Sequence, residues 1–189
     1  VSSIEPKLFV ISGPSGAGKG TLVARVRERR HDLGLTVSAT TREPRAGEVD
    51  GVNYHFLSDE EFSRRVEAGA FVEWAQVHNH RYGTLASEVD RNLATGRSLI
   101  LEIDVQGALA VRERFPDAVL IFIEPPSLEE LRARLIGRGS ETPASLELRM
   151  ENAERELALA GSYNELIVND DLDRATDELL AVLQRYERI

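Results

Sequence analysis

Apolar and polar positions along this chain follow two periods. Short apolar runs over residues 8–12, 35–38, 98–102, 119–123 and 166–168 read as buried strands. Between them, apolar residues recur at helical spacing and predict helices over 20–30, 105–114, 127–136, 144–160 and 172–186. Strands alternating with helices predict an α/β fold, a parallel sheet flanked by crossover helices.

The rhythm changes over residues 40–87. Turn residues crowd Glu43-Pro44-Arg45-Ala46-Gly47-Glu48 and Val49-Asp50-Gly51, followed by short runs at Asn53-Tyr54-His55-Phe56 and over 71–77. Ser58, with Asp59, Glu60 and Glu61 behind it, opens one helix there. The expectation is a small, mostly β insert over 40–87 in a core made of 1–39 and 88–189. A second break, from Gly137 to Pro143, separates two helices.

The first strand runs directly into Gly13-Pro14-Ser15-Gly16-Ala17-Gly18-Lys19-Gly20-Thr21. Glycines 13 and 18 enclose four residues and precede a lysine, so backbone N–H groups can turn inward around phosphate oxygens while the next helix presents its positive end. Lys7 and Lys19 are the two lysines among 23 basic residues, which suggests that a compact ammonium is wanted at position 19. Gly20 stands where a Ser or Thr usually ligates Mg²⁺, and Thr21 comes one place late. The metal ligand is therefore open among Thr21, Glu102 and Asp104.

Bulk properties narrow the function classes. A chain of 189 residues buries one substantial core with room for a small insert. A net charge of −9 argues against duplex nucleic acid as a partner, so any anion must be met by a local arginine cluster. Without cysteine there is no disulfide, thiolate metal site or cysteine nucleophile. No apolar run reaches the length of a membrane span. With no targeting segment read ahead of the first strand, a cytoplasmic enzyme is expected. Of the four histidines, His31, His55, His78 and His80, the last two alternate and would share one strand face without a third metal ligand.

The phosphate loop together with Ser38-Ala39-Thr40-Thr41-Arg42-Glu43-Pro44-Arg45-Ala46-Gly47-Glu48 and Gly51-Val52-Asn53-Tyr54-His55-Phe56 closely resembles guanylate kinase. The likeness continues through Phe71-Val72-Glu73-Trp74-Ala75, Arg81-Tyr82-Gly83-Thr84, Leu101-Glu102-Ile103-Asp104-Val105-Gln106-Gly107, Arg134-Leu135-Ile136-Gly137-Arg138-Gly139 and Ile167-Val168-Asn169-Asp170-Asp171. It implies transfer of the γ-phosphoryl group of ATP to GMP with Mg²⁺, a GMP-binding insert, and a short helical lid over about 134–149. Gly13 to Thr21, Arg134, Arg138 and Asn169 would contact ATP. Ser38, Arg42, Arg45, Tyr54, Glu73, Tyr82, Gly83, Thr84 and Asp104 would contact GMP.

The chemistry of these residues supports those roles. Arg42 and Arg45 carry forks of donors suited to a phosphate dianion, or else are solvated loop arginines. Glu73 lies among apolar residues, where a carboxylate needs a partner. Guanine offers N1–H and an exocyclic amine side by side; adenine offers neither in that arrangement. The plainer reading is a charge on the outer face of an edge strand. Glu102 and Asp104 end a strand beside the loop, where carboxylates approach a magnesium nucleotide, although Glu102 can also be an ordinary strand-end charge.

Arg134 and Arg138, four apart, share a helical face; with Lys19, Arg42 and Arg149 they would neutralise charge during transfer, unless Glu130 and Glu141 simply pair with them. Asn169 is either the adenine contact or a turn residue. Because the acceptor phosphate is already anionic, no general base is required. Two rival readings remain open: a phosphopeptide-binding domain that has lost catalysis, and a kinase for another nucleoside monophosphate.

Overall fold

A computed structural model describes residues 4–139 and 142–188. Its elements run β1 (Leu8–Ser12), α1 (Lys19–Arg29), β2 (Ala39–Thr40), β3 (His55–Phe56), α2 (Asp59–Glu67), β4 (Phe71–Val77), β5 (His80–Leu85), α3 (Ala86–Ala94), β6 (Leu99–Glu102), α4 (Val105–Arg114), β7 (Val119–Glu124), α5 (Leu128–Gly137), α6 (Pro143–Ala158), β8 (Glu165–Val168) and α7 (Leu172–Glu187).

Two four-stranded sheets result. The first is wholly parallel, in the order β6-β1-β7-β8. Its two faces follow from strand alternation: Phe9 and Ile11 join Ile121, Ile123 and Ile167 against α1 and α7, while Leu8 and Val10 join Leu99, Leu101, Leu120 and Phe122 against α3 and α4. All five β1 residues are buried, which explains why that strand reads as a continuous apolar run. Each fully buried Ile or Phe contributes roughly 1.5–3 kcal/mol, so this core carries most of the apolar burial.

The second sheet, β3-β2-β5-β4, is mixed and has a far smaller core: Ala39, Phe62, Phe71 and Leu85, with the rings of Phe62 and Phe71 stacked at 4.4 Å. Ser58 caps α2, as the acidic first turn predicted, by accepting from the Glu61 amide at 3.1 Å. Leu131, Leu135, Leu146, Met150 and Ala153 tie α5 to α6. Of the break between these helices, Ser140 and Glu141 lie outside the described residues.

Three expectations are corrected. Residues 35–38 are not a strand: Leu35 is exposed, Gly34 alone bridges to Leu99, and β2 begins at Ala39 in the other sheet. Side chains of α3 take up the Val37 amide and the Leu35 carbonyl in place of a ladder, and the His55 amide takes up the Ser38 carbonyl. Helix α3 itself was missed. It follows β5 without a connecting loop, and Leu85 at its N-cap position makes no side-chain cap, so the usual start signal is missing. Finally, His78 occupies the β4–β5 hairpin turn at φ 55°, so it does not share a strand face with His80.

Candidate active site

The loop between β1 and α1 owes its shape to backbone that only glycine supplies at two points. Gly13 has φ 151°, and a Cβ there would sit 2.2 Å from the Ile123 carbonyl oxygen on β7. Gly18 has φ 88°, and its Cβ would fall 2.4 Å from Asn169 Nδ2. The loop is therefore pressed against two neighbouring strand ends. Lys19 curls back over it, donating to the carbonyls of Gly13 at 2.5 Å and Pro14 at 3.1 Å. Burial lowers the Lys19 pKa, opposed by the negative charges of Glu102, Glu156 and Asp104.

Ser15, Gly16, Gly18, Lys19, Gly20, Thr21, Glu102 and Arg138 line a cavity of about 280 Å³ at the mouth of this loop. A Cβ at Gly20 would stand 3.5 Å from Glu102 Oε1, so the carboxylate borders the space that a Ser or Thr side chain would occupy. Arg149 reaches Ser15 Oγ at 3.2 Å from α6. Arg134 donates to Glu130 at 3.1 Å and to the Asn169 carbonyl at 3.0 Å. The anticipated pairing with Glu130 is thus present, whereas Glu141 lies outside the described residues.

Asn169 is buried rather than exposed in a turn. Its amide donates to the Ala17 carbonyl at 2.8 Å, and its side chain props up the phosphate loop from the end of β8.

The second cluster lies on the mixed sheet. Arg42 makes a two-pronged ion pair with Glu48, Nη1 to Oε2 at 3.0 Å and Nη2 to Oε1 at 2.9 Å, while the Arg45 amide donates to Glu48 Oε2 at 2.7 Å. The Arg42 guanidinium stands over the rings of Tyr54 and Phe56, at 5.4 and 5.8 Å. Tyr82 meets Tyr54 edge-on at 6.1 Å. Arg42 holds the Glu48 carboxyl below the usual range. The whole is a preformed grip on an oxyanion, here a carboxylate of the same loop. Arg45 keeps its own side chain exposed.

Glu73, on β4, accepts from Thr84 Oγ1 at 2.8 Å. Burial raises its pKa, and the nearby negative charge of Asp104 adds to the rise. Asp104 caps α4, accepting from the Gly107 amide at 2.6 Å. Gly83 is buried in β5 opposite Trp74, and Ser38 sits at the entry to β2, its carbonyl accepting from the His55 amide at 2.9 Å.

Reading by motif overlooked Glu48 as an arginine partner, because a turn from Arg45 to Glu48 has to fold before the two meet. It also overlooked Glu156, half-buried on α6 and electrostatically coupled to Lys19 and Asp104. A signal for that one existed: it lies two helical turns after Arg149, on the same face.

A parallel sheet with a glycine loop at the carboxyl end of its central strand, a lysine over that loop and arginines around it defines a P-loop phosphotransferase. The guanylate kinase family model matches residues 5–186. Guanylate kinase of Caldanaerobacter subterraneus is 53% identical over 93% of this chain and 85% of its own, and that of Mycobacterium leprae is 46% identical over 94% and 85%. The crystal structure of guanylate kinase from Anaplasma phagocytophilum matches with a TM-score of 0.69 at 32% identity, covering 98% of this chain and 88% of that one. The chain belongs to the guanylate kinase family, the nucleoside monophosphate kinases that act on ATP and GMP. Among the described residues no helix is long and apolar enough to cross a membrane.

Proposed function

We propose that this chain transfers the γ-phosphoryl group of ATP to GMP, with the triphosphate in the cavity at the phosphate loop and GMP on the mixed sheet. The observation that carries the reading is that one small sheet and its β2–β3 loop hold both a two-pronged arginine grip on an oxyanion, at Arg42, and a half-buried carboxylate held by a hydroxyl, at Glu73. GMP has matching groups: a phosphate dianion, and paired N1–H and N2–H donors. In this reading phosphate displaces Glu48 from Arg42 and is joined by Arg45, Tyr54 and Tyr82. Ser38, Gly83, Thr84 and Asp104 complete the nucleoside pocket.

During transfer an oxygen of the GMP phosphate bonds to the γ-phosphorus as the bond to the β–γ bridging oxygen breaks, releasing ADP. Lys19, Arg134, Arg138 and Arg149 neutralise the converging charge, and closure of the insert over 40–87 and a lid over about 134–149 excludes water. Mg²⁺ supplies charge neutralisation to the β- and γ-phosphates when bound. Thr21, Glu102 and Asp104 offer it hard oxygen donors. We assign the enzyme to the cytoplasm, where both nucleotides are made and used, with no nucleic-acid partner given its net charge of −9.

A coupled assay with ATP and GMP, AMP, UMP or CMP tests this. Turnover with GMP that collapses in Glu73→Gln supports the proposal. Preference for AMP overturns the guanine assignment, and absent turnover together with phosphopeptide binding favours the non-catalytic reading.

A further inference from the structure

The insert joins the core by two chain segments, residues 35–38 on the way in and the β5-to-α3 junction on the way out, and one buried side chain touches both. Glu88, on the first turn of α3, is 5% exposed. Its Oε2 accepts from the Val37 amide at 3.0 Å and from Arg91 Nη2 at 2.9 Å. Its Oε1 lies 3.1 Å from His55 Nε2 on β3. Since a carboxylate only accepts, the proton of this bond sits on Nε2.

The surroundings make Glu88 the natural fulcrum. Residues 35–37 have no ladder to the core sheet, and the side-chain contacts holding them come from α3: Glu88 on Val37, and Asn92 Nδ2 on the Leu35 carbonyl at 3.1 Å. Immediately beyond lie Ser38, whose carbonyl accepts from the His55 amide at 2.9 Å, and Tyr54, next to His55 in the chain. Packing alone does not call for a charge here, because an apolar side chain of similar volume would fill the space at lower desolvation cost. The carboxylate instead joins three separate parts: entry segment, insert strand and core helix.

We propose that Glu88 is a positioning residue for GMP, pinning the entry segment and β3 to α3 and thereby fixing the angle at which the GMP-binding insert faces the phosphate loop. It acts through Val37 on Ser38 and through His55 on Tyr54, and touches no substrate itself. The inference rests on the assignment of GMP to the mixed sheet.

The test uses the whole chain carrying Glu88→Gln, Glu88→Ala, His55→Ala, and His55→Ala with Glu88→Ala. Kinetics are measured with GMP and ATP varied separately, beside thermal unfolding and hydrogen exchange at the Val37 amide. His55 is partly exposed, so its replacement leaves the core intact even where Glu88→Ala fails to fold. The expected result is a KM for GMP raised roughly tenfold in His55→Ala and in each folded Glu88 variant, with KM for ATP within about twofold of wild type. The double variant should be no worse than the poorer single one, and exchange at Val37 should quicken in Glu88→Ala. Folded variants with an unchanged KM for GMP, or with both KM values raised alike, overturn the proposal. Failure of the functional reading is distinct, since wild type would then not turn over GMP while exchange at Val37 would still respond to Glu88.

Discussion

The two regions proposed to hold the nucleotides are built on different principles. At the phosphate loop the proposed recognising surface is backbone: glycines at positive φ wedged against Ile123 and Asn169, above a sheet whose strand β1 is wholly buried. At the mixed sheet it is side chains, Glu73 and Thr84 on β4 and β5 and Arg42, Glu48 and Tyr54 on the loop between β2 and β3, beside four buried apolar residues. A shape written in backbone is rigid and intolerant of one added carbon. Side-chain recognition is graded and adjustable, which suits a region proposed to close on the other.

Gly18→Ala is the severest way to probe this contrast. The methyl group collides with Asn169 in a conformation that costs an L-residue about 1–2 kcal/mol, and kcat/KM for ATP should fall about 10³-fold with a lowered Tm. Adding Asn169→Ala should recover part of that loss, because the collision is relieved while the φ strain stays. No recovery would mean that the clash is not what disables the loop.

Glu73→Gln comes next, with kcat/KM for GMP expected to drop roughly 10²-fold or a little more in a coupled assay and KM for ATP nearly unchanged. The same change should raise Tm at pH 7. Burial raises the Glu73 pKa on folding, so between its unfolded and folded values the native state holds the extra proton. Stability therefore declines as pH climbs through that window, and above it the penalty of a half-buried carboxylate remains. Glutamine removes the penalty, so the gain in Tm should vanish on acidification below the ordinary glutamate range. The acid limb of the wild-type kcat/KM profile for GMP should likewise lie above that range.

Arg42→Lys tests whether geometry or charge holds the acceptor phosphate. A lysine cannot reproduce the fork seen on Glu48, so KM for GMP should rise about 10–100-fold with little change in Tm. An enzyme indifferent to this swap would reduce the grip to a point charge. Smallest is Asn169→Ala, which removes one hydrogen bond beneath the loop: KM for ATP should increase about tenfold, measured with GMP saturating. If KM for GMP moved equally, the separation of the two regions would be less clean than their construction implies.

Much of this could be read before folding. The β1 run and the glycine loop are local patterns, as are the periodicities of α1, α4, α5, α6 and α7, and the structure reproduces these elements to within about two residues. Residues 35–38 misled because their apolar content resembles a strand, yet side chains of a helix more than fifty residues later satisfy their backbone. Helix α3 was hidden because nothing but strand precedes it. The placement of Arg42 beside Tyr54 and Tyr82 was implied by family likeness, whereas Glu48 as the occupant of that fork was not.

By itself the amino-acid order determined the layered α/β plan and the phosphate loop with its lysine, since these depend on neighbours within a turn or a strand; the carboxylate and arginines proposed for a guanine nucleotide came from the family likeness. Only the packed chain decided which partners those groups meet: Asn169 under Ala17 across 152 positions, Val37 on Glu88 across 51, His55 on Glu88 across 33. Such contacts exist because two sheets and their helices close on one another. The free energy of that closure is spread over the whole core and leaves no local pattern to read.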